Sequence, residues 1–561
     1  MIFPVWIKNY QRTDFKPDLL AGLTVGVMLI PQAMAYAMLA GLPPIYGLYA
    51  STVPLIVYAL FGTSRHLSVG PVAIDPILIV AGISAFALAG SDDYISLAIT
   101  LALMVGFIQF SLGVLKLGFL VNFLSNPVIT GFTSAAAIII GLSQLKNLLS
   151  IDITNNQYLQ DIIGSLIEQS PNIHWLTFLI GVIGILFLIL FKRFFPKFPA
   201  PLFMLVISIL AVSIFHLDAY GVKIIGDIPG GLPRPGLPFV DLDTYKKLLP
   251  TAFALALLSF MESTAIARAL QAKHKTYKII PNKELMALGL ANMFGSIFKS
   301  FPVSGGFSRS TLNEQSGART NMSSIISACV IILTLLFLTP LFYYLPKVIL
   351  ACIIIVAVSR LINFKEAKYL WHIDWKDFLM MFVTFAGTLF LGIGEGIGIG
   401  VALSLAWIIF EASYPHSAEL GRVPGTHIFK NIKRYNGLEI ENNILIFRFD
   451  APLFFANINR FRELLLTHKS YRDETINAIV IDMESNNTVD SSALVVLSDM
   501  ADEMKKDNIR LLFSDVKGPV RDKFFKSGLT NKIGEENFFM TIEDAVNSLT
   551  VRFDSAQRPS T

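Results

Sequence analysis

Apolar segments of membrane-spanning length recur between residues 19 and 413, separated by short polar loops. A bilayer core about 30 Å thick needs roughly 20 apolar residues for each helix that crosses it. By this measure the sequence predicts fourteen spans, with approximate bounds 19–40, 44–61, 68–88, 95–115, 119–145, 175–191, 199–217, 247–271, 284–298, 304–318, 319–341, 345–359, 377–394 and 396–413. Only 15% of the residues are charged, against about 25% in soluble domains. The chain is therefore predicted to be an α-helical polytopic membrane protein.

Positive charges in the loops predict the orientation. With fourteen spans, the loops and span ends on the side of the N-terminus hold 18 Lys and Arg residues, and those on the opposite side hold 7. Cytoplasmic loops carry the excess of Lys and Arg. We therefore expect a multi-pass protein of the cell inner (plasma) membrane with cytoplasmic N- and C-termini.

The chain changes character after residue 413, where 19 of the 45 Lys and Arg residues occupy the last 148 positions. Strand-like and helix-like segments alternate there: strands at 444–449, 478–483 and 510–515, and helices at 457–468, 491–506, 518–527 and 541–549. Such alternation predicts a small α/β domain with a largely buried sheet. The expected organisation is a membrane domain (1–413), a linker (414–436), a soluble domain (437–551) and a tail (552–561).

Two of the spans are interrupted by Gly and Pro. The third contains SVGPVAIDP (68–76), and the tenth lies in FPVSGGFSRSTLNEQSGART (301–320). Each follows, at a similar distance, a span with a polar side chain among apolar neighbours: Gln32 in the first half and Glu262 in the second. This spacing predicts an internal repeat, inverted because seven spans precede the second copy. Half-helix N-termini at such breaks bind anions, and we expect the glycines to present bare backbone N–H groups there.

Arg309 lies directly after the second break. Its planar guanidinium suits oxyanions. Burying it in a membrane costs several kcal/mol, which a bound anion or an acidic partner must offset. Two alternatives remain open: Arg309 pairs with Glu262 only to hold helices together, or it reaches water at the membrane interface.

Glu262 lies in an otherwise apolar span, FALALLSFMESTAIARAL. Burial disfavours its ionised form and a nearby Arg309 favours it, so a proton can bind there when an anion arrives. This is the logic of proton–anion symport. The alternative is a polar packing residue hydrogen-bonded to Ser263 or Thr264. Asp75 is a second carboxylate within a span, to which the sequence assigns no role.

Three motifs resemble those of a known family. The segment LLAGLTVGVMLIPQAMAYAMLAGLPPIYGLYASTVPLIVYALFGTSRHLSVGPVA resembles the signature of the SulP sulfate-permease family of anion transporters. GFSRS with NEQSGART resembles the tenth span of that family, and VDSSAL before a helix resembles a STAS domain, its usual C-terminal partner. The likeness covers nearly the whole chain.

The resemblance implies a seven-plus-seven inverted repeat with a core (spans 1–4 and 8–11) and a gate (spans 5–7 and 12–14). It also implies homodimers and an elevator-like movement of the core against the gate. Glu262 matches the position linked to coupling. By motif position, the residues expected to bind the anion are Gln32, Tyr36, Val72, Ala73, Gly306, Phe307, Ser308 and Arg309.

Departures from the family pattern bear on the substrate. Sodium-coupled bicarbonate members tend to have Asp in the eighth span with a hydroxyl one turn later, and to lack the arginine of the tenth span. This chain has Glu262, Ile266 and Arg309, which favours proton-coupled transport of sulfate or a dicarboxylate, with sulfate preferred. Bicarbonate or a fumarate-like dicarboxylate, sodium coupling, anion exchange, a channel and a membrane-tethered sensor remain alternatives.

Ser491 and Ser492 follow Asp490 where a strand leads into a helix. In anti-sigma antagonists, which STAS domains resemble, a serine here is phosphorylated, and a helix N-terminus favours a phosphate. The alternative is a simple helix cap. No nucleotide-binding, metal-ligand or enzyme pattern is found, and a net charge of +4 does not suggest nucleic acid. The expected partners are a small anion, a proton or sodium ion, and the bilayer, without enzyme activity, metal or cofactor.

Overall fold

The computed structural model describes residues 5–8, 10–119, 125–151, 159–195, 199–238, 241–274, 277–472 and 475–556. The chain divides into two compact units, Met1–Ser404 and Leu405–Thr561. The division falls within a helix near the end of the predicted membrane domain.

The first unit is helical, with one two-stranded sheet. Its strands are β1 (Val69–Gly70) and β2 (Ser304–Gly305). Its helices are α1 (Val5–Lys8), α2 (Arg12–Leu39), α3 (Ile45–Tyr49), α4 (Val53–Phe61), α5 (Asp75–Ile83), α6 (Asp92–Val114), α7 (Asn126–Ser143), α8 (Leu145–Leu149), α9 (Leu159–Glu168), α10 (Trp175–Phe194), α11 (Ala200–Phe215), α12 (Leu242–His274), α13 (Pro281–Ile297), α14 (Phe307–Gln315), α15 (Met322–Leu333), α16 (Lys347–Val358), α17 (Phe364–Ile373), α18 (Trp375–Phe390) and α19 (Ile393–Ser413).

Seven helical stretches within the described ranges are long and apolar enough to cross a membrane: Arg12–Leu39, Asp92–Val114, Asn126–Leu149, Trp175–Phe194, Leu242–His274, Met322–Phe342 and Lys347–Ile373. Shorter apolar helices cover Ile45–Phe61, Ala200–Phe215 and Gly398–Ser413. Each of the fourteen predicted segments contains a helix or a pair of short helices within its described residues, and in the third and tenth segments a strand precedes a helix of nine residues. The helical membrane fold is confirmed, and the count of fourteen crossings stays a prediction.

Helices far apart in sequence pack together: α2 lies against α15, α6 against α13, and α7 against α18. Two buried carboxylates fasten helix ends in this unit. Glu284 of α13 accepts hydrogen bonds from Tyr58 Oη at 2.6 Å and from the Thr63 backbone N–H at 2.6 Å. Asp18 of α2 accepts from the backbone N–H groups of Arg319 at 2.7 Å and Thr320 at 3.0 Å. Breaking such a bond leaves a buried charge unsatisfied, which is costly.

The two interrupted spans meet at the β1–β2 ladder. Val69 lies opposite Gly305, and Gly70 lies opposite Ser304, in an antiparallel pair. Helix α5 begins soon after β1, and α14 begins directly after β2. The breaks expected from Gly and Pro are therefore real, and their backbones are hydrogen-bonded to each other.

The second unit contains a six-stranded sheet in the order β4-β3-β5-β6-β7-β8. Strands β5 to β8 are parallel, and β3 pairs antiparallel with both β4 and β5. The strands are β3 (Ser417–Arg422), β4 (Phe429–Asn431), β5 (Ile444–Phe449), β6 (Ala478–Asp482), β7 (Arg510–Ser514) and β8 (Phe538–Phe539). The helices are α20 (Ile458–Ser470), α21 (Ser491–Lys506), α22 (Gly518–Lys526), α23 (Leu529–Ile533) and α24 (Ile542–Ala556).

Both faces of this sheet are buried, which explains the continuous apolar strands. Leu445 and Phe447 pack with Phe461 of α20 on one face, whereas Ile446 packs with Val546 of α24 on the other. The three strands and the helices predicted from the sequence are confirmed to within a few residues, apart from the end of the last helix.

Two boundaries differ from the expectation. The segment 414–436, expected to be a linker, contains β3 and β4. Strand β3, SAELGR, holds a Gly and no β-branched residue, so β3 is fixed by pairing with β5 rather than by local propensity. Helix α24 continues to Ala556, inside the expected tail, because its Ala545, Val546 and Leu549 pack on the sheet. Residues 557–561 lie outside the described residues.

Candidate functional site

Arg309 is buried in the first turn of α14, with 2% of its surface exposed. Its Nη1 donates a hydrogen bond to the Pro71 carbonyl at 2.5 Å. Its Nε and Nη2 are buried and have no hydrogen-bond partner among the described residues. The alternative that Arg309 reaches water is therefore wrong. A buried cation with two such nitrogens has unmet hydrogen-bonding capacity.

One glycine from each break makes room for this guanidinium. A Cβ atom added at Gly306 would lie 2.7 Å from Arg309 Cζ. A Cβ atom added at Gly70 would lie 3.3 Å from Arg309 Nη2. The two glycines allow the backbones of both breaks to approach the charged group closely, as glycine does where backbone meets a ligand or side chain.

The backbone N–H groups at the break are used differently from the expectation. The Gly306 N–H donates to the Ser68 carbonyl at 3.0 Å, and the Gly305 N–H donates to Ser263 Oγ at 2.8 Å. The expectation that these glycines carry bare N–H groups is wrong, because pairing the breaks consumes them. The N–H groups that have no partner among the described residues include those of Val72, Ala73, Phe307 and Ser308.

Helix α2 brings two predicted residues to the same region. Gln32 and Tyr36 are one helical turn apart and buried, and Gln32 Oε1 lacks a hydrogen-bond partner within the described chain. Leu29 precedes Gln32 by one turn, and its Cδ1 would lie 3.9 Å from a Cβ atom added at Gly70. Tyr36 is within electrostatic reach of both Arg309 and Glu262. The face of α2 through these residues therefore lies against the paired breaks.

The remaining predicted residues divide by exposure. Val72 and Ala73 are buried just after β1. Phe307 is 63% exposed, and Ser308 is also exposed, although both belong to the same first turn of α14 as the buried Arg309. Because the side chains of Phe307 and Ser308 are exposed, anion binding at these two positions stays a prediction.

Glu262 of α12 is half-buried, and its Oε2 is buried without a hydrogen-bond partner in the described residues. Glu262 is within electrostatic reach of both the Asp75 carboxyl group and the Arg309 guanidinium. The described residues show no ion pair between Glu262 and Arg309, so direct pairing of the two is not observed. A hydrogen bond from Ser263 or Thr264 to Glu262 is not observed in the described residues either. Ser263 Oγ donates to the Ser259 carbonyl at 2.6 Å, and Thr264 Oγ1 has no partner among those residues.

Asp75, the first residue of α5, was given no role by the sequence. It is fully buried. Its Oδ2 accepts a hydrogen bond from Ser304 Oγ of β2 at 2.7 Å, while its Oδ1 has no partner among the described residues. We refer to Arg309, Asp75, Glu262, Gln32 and Tyr36, with strands β1 and β2, as the Arg309 site.

Side-chain amides that the sequence did not single out position β2. Asn292 of α13 accepts from the Val303 N–H at 2.9 Å and donates to Gln109 Oε1 of α6 at 3.1 Å. Gln109 donates in turn to Ser259 Oγ of α12 at 2.7 Å. An isolated Asn or Gln in an apolar span is the signal that points to such a link.

His66, in the loop before β1, is an uncharged connector. Its ring nitrogens contact Tyr277 Oη at 3.0 Å and the Ala318 carbonyl at 3.1 Å. Burial, and the His274 ring stacked on it at 4.6 Å, lower the pKa of His66 to about 4. His66 is therefore neutral near pH 7.

In the second unit, Ser491 and Ser492 are exposed in the first turn of α21. The cap of this helix is Asp490, whose Oδ1 accepts from the Ala493 N–H at 2.8 Å. Its Oδ2 accepts from the Phe455 N–H at 2.8 Å. Capping is thus done by the aspartate, and a regulatory role for the two serines stays a prediction.

The fold is that of a helical membrane transporter followed by a STAS domain. The pattern described as the sulfate permease family matches residues 15–384, and the STAS domain pattern matches residues 437–545. The structure of the murine Solute Carrier 26 family member A9 anion transporter in the inward-facing state is similar, with a TM-score of 0.90 and 26% identity over 98% of this chain and 94% of that chain.

Sequence relatives cover nearly the whole chain. Sulfate transporter 4.1, chloroplastic, of Arabidopsis thaliana is 40% identical over 97% of this chain and 82% of its own length. A probable sulfate transporter of Mycobacterium tuberculosis is 34% identical over 98% of both chains. This chain belongs to the sulfate permease family, whose members are transporters and not enzymes.

Proposed function

We propose that this protein is a secondary active transporter of a small oxyanion, sulfate in the first place, which it moves together with protons. The observation that carries the proposal is Arg309, a buried cation between the paired breaks whose Nε and Nη2 have no hydrogen-bond partner among the described residues. An oxyanion accepts hydrogen bonds from such a planar fork and neutralises its charge.

Sulfate is supported by the surroundings of Arg309 and by the relatives. Backbone N–H groups of Val72, Ala73, Phe307 and Ser308 have no partner among the described residues, and a tetrahedral oxyanion has acceptors for several donors at once. Relatives that are 34–41% identical over nearly the whole chain bear the name of sulfate transporters.

Coupling to protons is proposed to run through Glu262. An ionised Glu262 repels an incoming anion bound at Arg309, and protonation removes that repulsion. Proton and anion therefore bind better together than apart, which is a coupling free energy between two sites. Release of the anion on the other side restores the repulsion and expels the proton.

Movement is proposed to be elevator-like, with a core of spans 1–4 and 8–11 sliding against a gate of spans 5–7 and 12–14. The buried links from Glu284 to Tyr58 and from Asp18 to Thr320 join spans of the proposed core, which supports its moving as one body. We further propose a homodimer in the plasma membrane with both termini in the cytoplasm.

The proposal is tested by uptake into proteoliposomes of sulfate, bicarbonate, fumarate and chloride, at two pH values, with and without sodium. We expect sulfate uptake that an inward proton gradient stimulates and that sodium does not change. Glu262→Gln is expected to keep sulfate binding and to weaken the stimulation, while the exposed control Glu411→Gln behaves like the parent. Uptake of sulfate without any response to protons would refute the coupling, and binding without uptake of any anion would favour a sensor.

A further inference from the structure

Asp75 has an environment that an ordinary structural carboxylate lacks. It is completely buried, and among the described residues only one of its oxygens is hydrogen-bonded, by Ser304 on the opposite break. By contrast, buried Glu284 accepts hydrogen bonds on both oxygens, from Tyr58 and Thr63. A buried oxygen with no donor is costly for an ionised carboxylate.

The charges around Asp75 do not balance when both carboxylates are ionised. Helix α5 packs against α2, α6 and α12. Arg309 of α14 is close enough to Asp75 for electrostatic attraction, and Asp75 is close enough to Glu262 of α12 for electrostatic repulsion. Helix α2 contributes the phenol of Tyr36, and the acidic residues of α6 are in its exposed first turn. Two carboxylates thus share one arginine, and a divalent oxyanion would add two more negative charges.

We propose that Asp75 is a second proton-binding carboxylate of the Arg309 site, so that two protons, one on Asp75 and one on Glu262, accompany each divalent oxyanion. This rests on the proposed function. The proton is taken from water on the side where the anion enters and binds Oδ1, because Oδ2 already accepts from Ser304. It returns to water on the side where the anion leaves. Two protons and one sulfate carry no net charge across the membrane in a full cycle.

The test is the proton-to-sulfate ratio, measured in proteoliposomes with the membrane potential held at zero. A pH difference of one unit is imposed, and the sulfate gradient at which net flux stops is found. Because one pH unit is a tenfold change in proton activity, two coupled protons balance a roughly 100-fold sulfate gradient and one balances a roughly 10-fold gradient. We expect about 100-fold for the parent and about 10-fold for Asp75→Asn.

Controls separate this proposal from the proposed function. Asp93→Asn, in the exposed first turn of α6, is expected to keep the parent ratio, and Glu262→Gln is expected to lower it to one proton. A balance at roughly 10-fold in the parent, unchanged in Asp75→Asn, would overturn the role of Asp75 and leave proton symport intact. A balance at equal sulfate concentrations in the parent would instead overturn the coupling itself.

A second variant does not depend on changing the carboxylate. Ser304→Ala removes the hydrogen bond that favours the ionised form of Asp75, and hydrogen bonds to a charged form stabilise it. Sulfate uptake in this variant is expected to extend to higher pH while the ratio stays at two protons. A pH profile identical to that of the parent would contradict proton binding at Asp75.

Discussion

Replacing Arg309 by alanine tests the centre of the proposed anion site. The substitution removes a buried cation whose Nη1 bonds the Pro71 carbonyl and whose Nε and Nη2 have no partner among the described residues. The protein without anion loses one hydrogen bond. The protein with anion loses that bond and the two that the free donors are proposed to make.

The expected size of the effect follows from that difference. A hydrogen bond to a charged group contributes about 1.5–3 kcal/mol net. Two such bonds correspond to about 3–6 kcal/mol, and since about 1.4 kcal/mol is a factor of ten, sulfate binding is expected to weaken by roughly 10²–10⁴-fold. Arg309→Lys keeps the charge without the fork and is expected to lose less.

Binding of radiolabelled sulfate to the purified protein in nanodiscs measures this directly, and it separates binding from transport. The matched control is Arg268→Ala, which removes an exposed arginine from α12. Monodisperse elution and an unchanged melting temperature establish that Arg309→Ala is folded. A folded Arg309→Ala variant with the sulfate affinity of the parent would refute the assignment of Arg309 to the anion.

Two further predictions concern a glycine and a buried acid. Gly306→Ala places a methyl group 2.7 Å from Arg309 Cζ, an overpacking that costs about 1–3 kcal/mol. We expect sulfate binding to weaken roughly 5- to 150-fold, whereas the control Gly141→Ala, with no atom within 4 Å of the added carbon, should bind normally. Burial, with help from Asp515 and Glu484, raises the pKa of Asp482 to about 6, so its contribution to stability is present below about pH 4 and is lost as the pH rises through 6. Asp482→Asn should therefore stabilise the second unit by up to about 3 kcal/mol at pH 7.5 and by nothing at pH 4. Hydrogen exchange of the β6 amides in the full-length protein measures this. The same gain in protection over the parent at both pH values would contradict it.

The sequence was most informative where composition determines structure. Apolar length located the helical segments, since a membrane helix needs a long apolar run. The strands at 444–449 and 478–483 were predictable because a sheet buried on both faces requires continuous apolar residues. Strand β3 was not, because SAELGR becomes a strand only by pairing with β5.

At the Arg309 site, the sequence identified the charged residues but not their hydrogen bonds. Gly70 and Gly306 marked the breaks, yet only the fold shows that Gly306 donates its N–H to Ser68. Asp75 was visible as a carboxylate within a span, but its bond to Ser304 joins residues from opposite halves of the chain. Such contacts depend on tertiary pairing, and no local pattern encodes it.

The β1–β2 ladder has a consequence for the biogenesis of the protein. Backbone groups cannot remain unpaired in the hydrocarbon core, and the Ser68 carbonyl and strand β1 find their backbone partners in residues 304–306. During synthesis, the third span reaches the membrane long before its partner strand leaves the ribosome. The backbone groups of β1 therefore stay unpaired at first, and the insertion machinery or water must shield them from lipid until the tenth span is inserted and β2 pairs with β1.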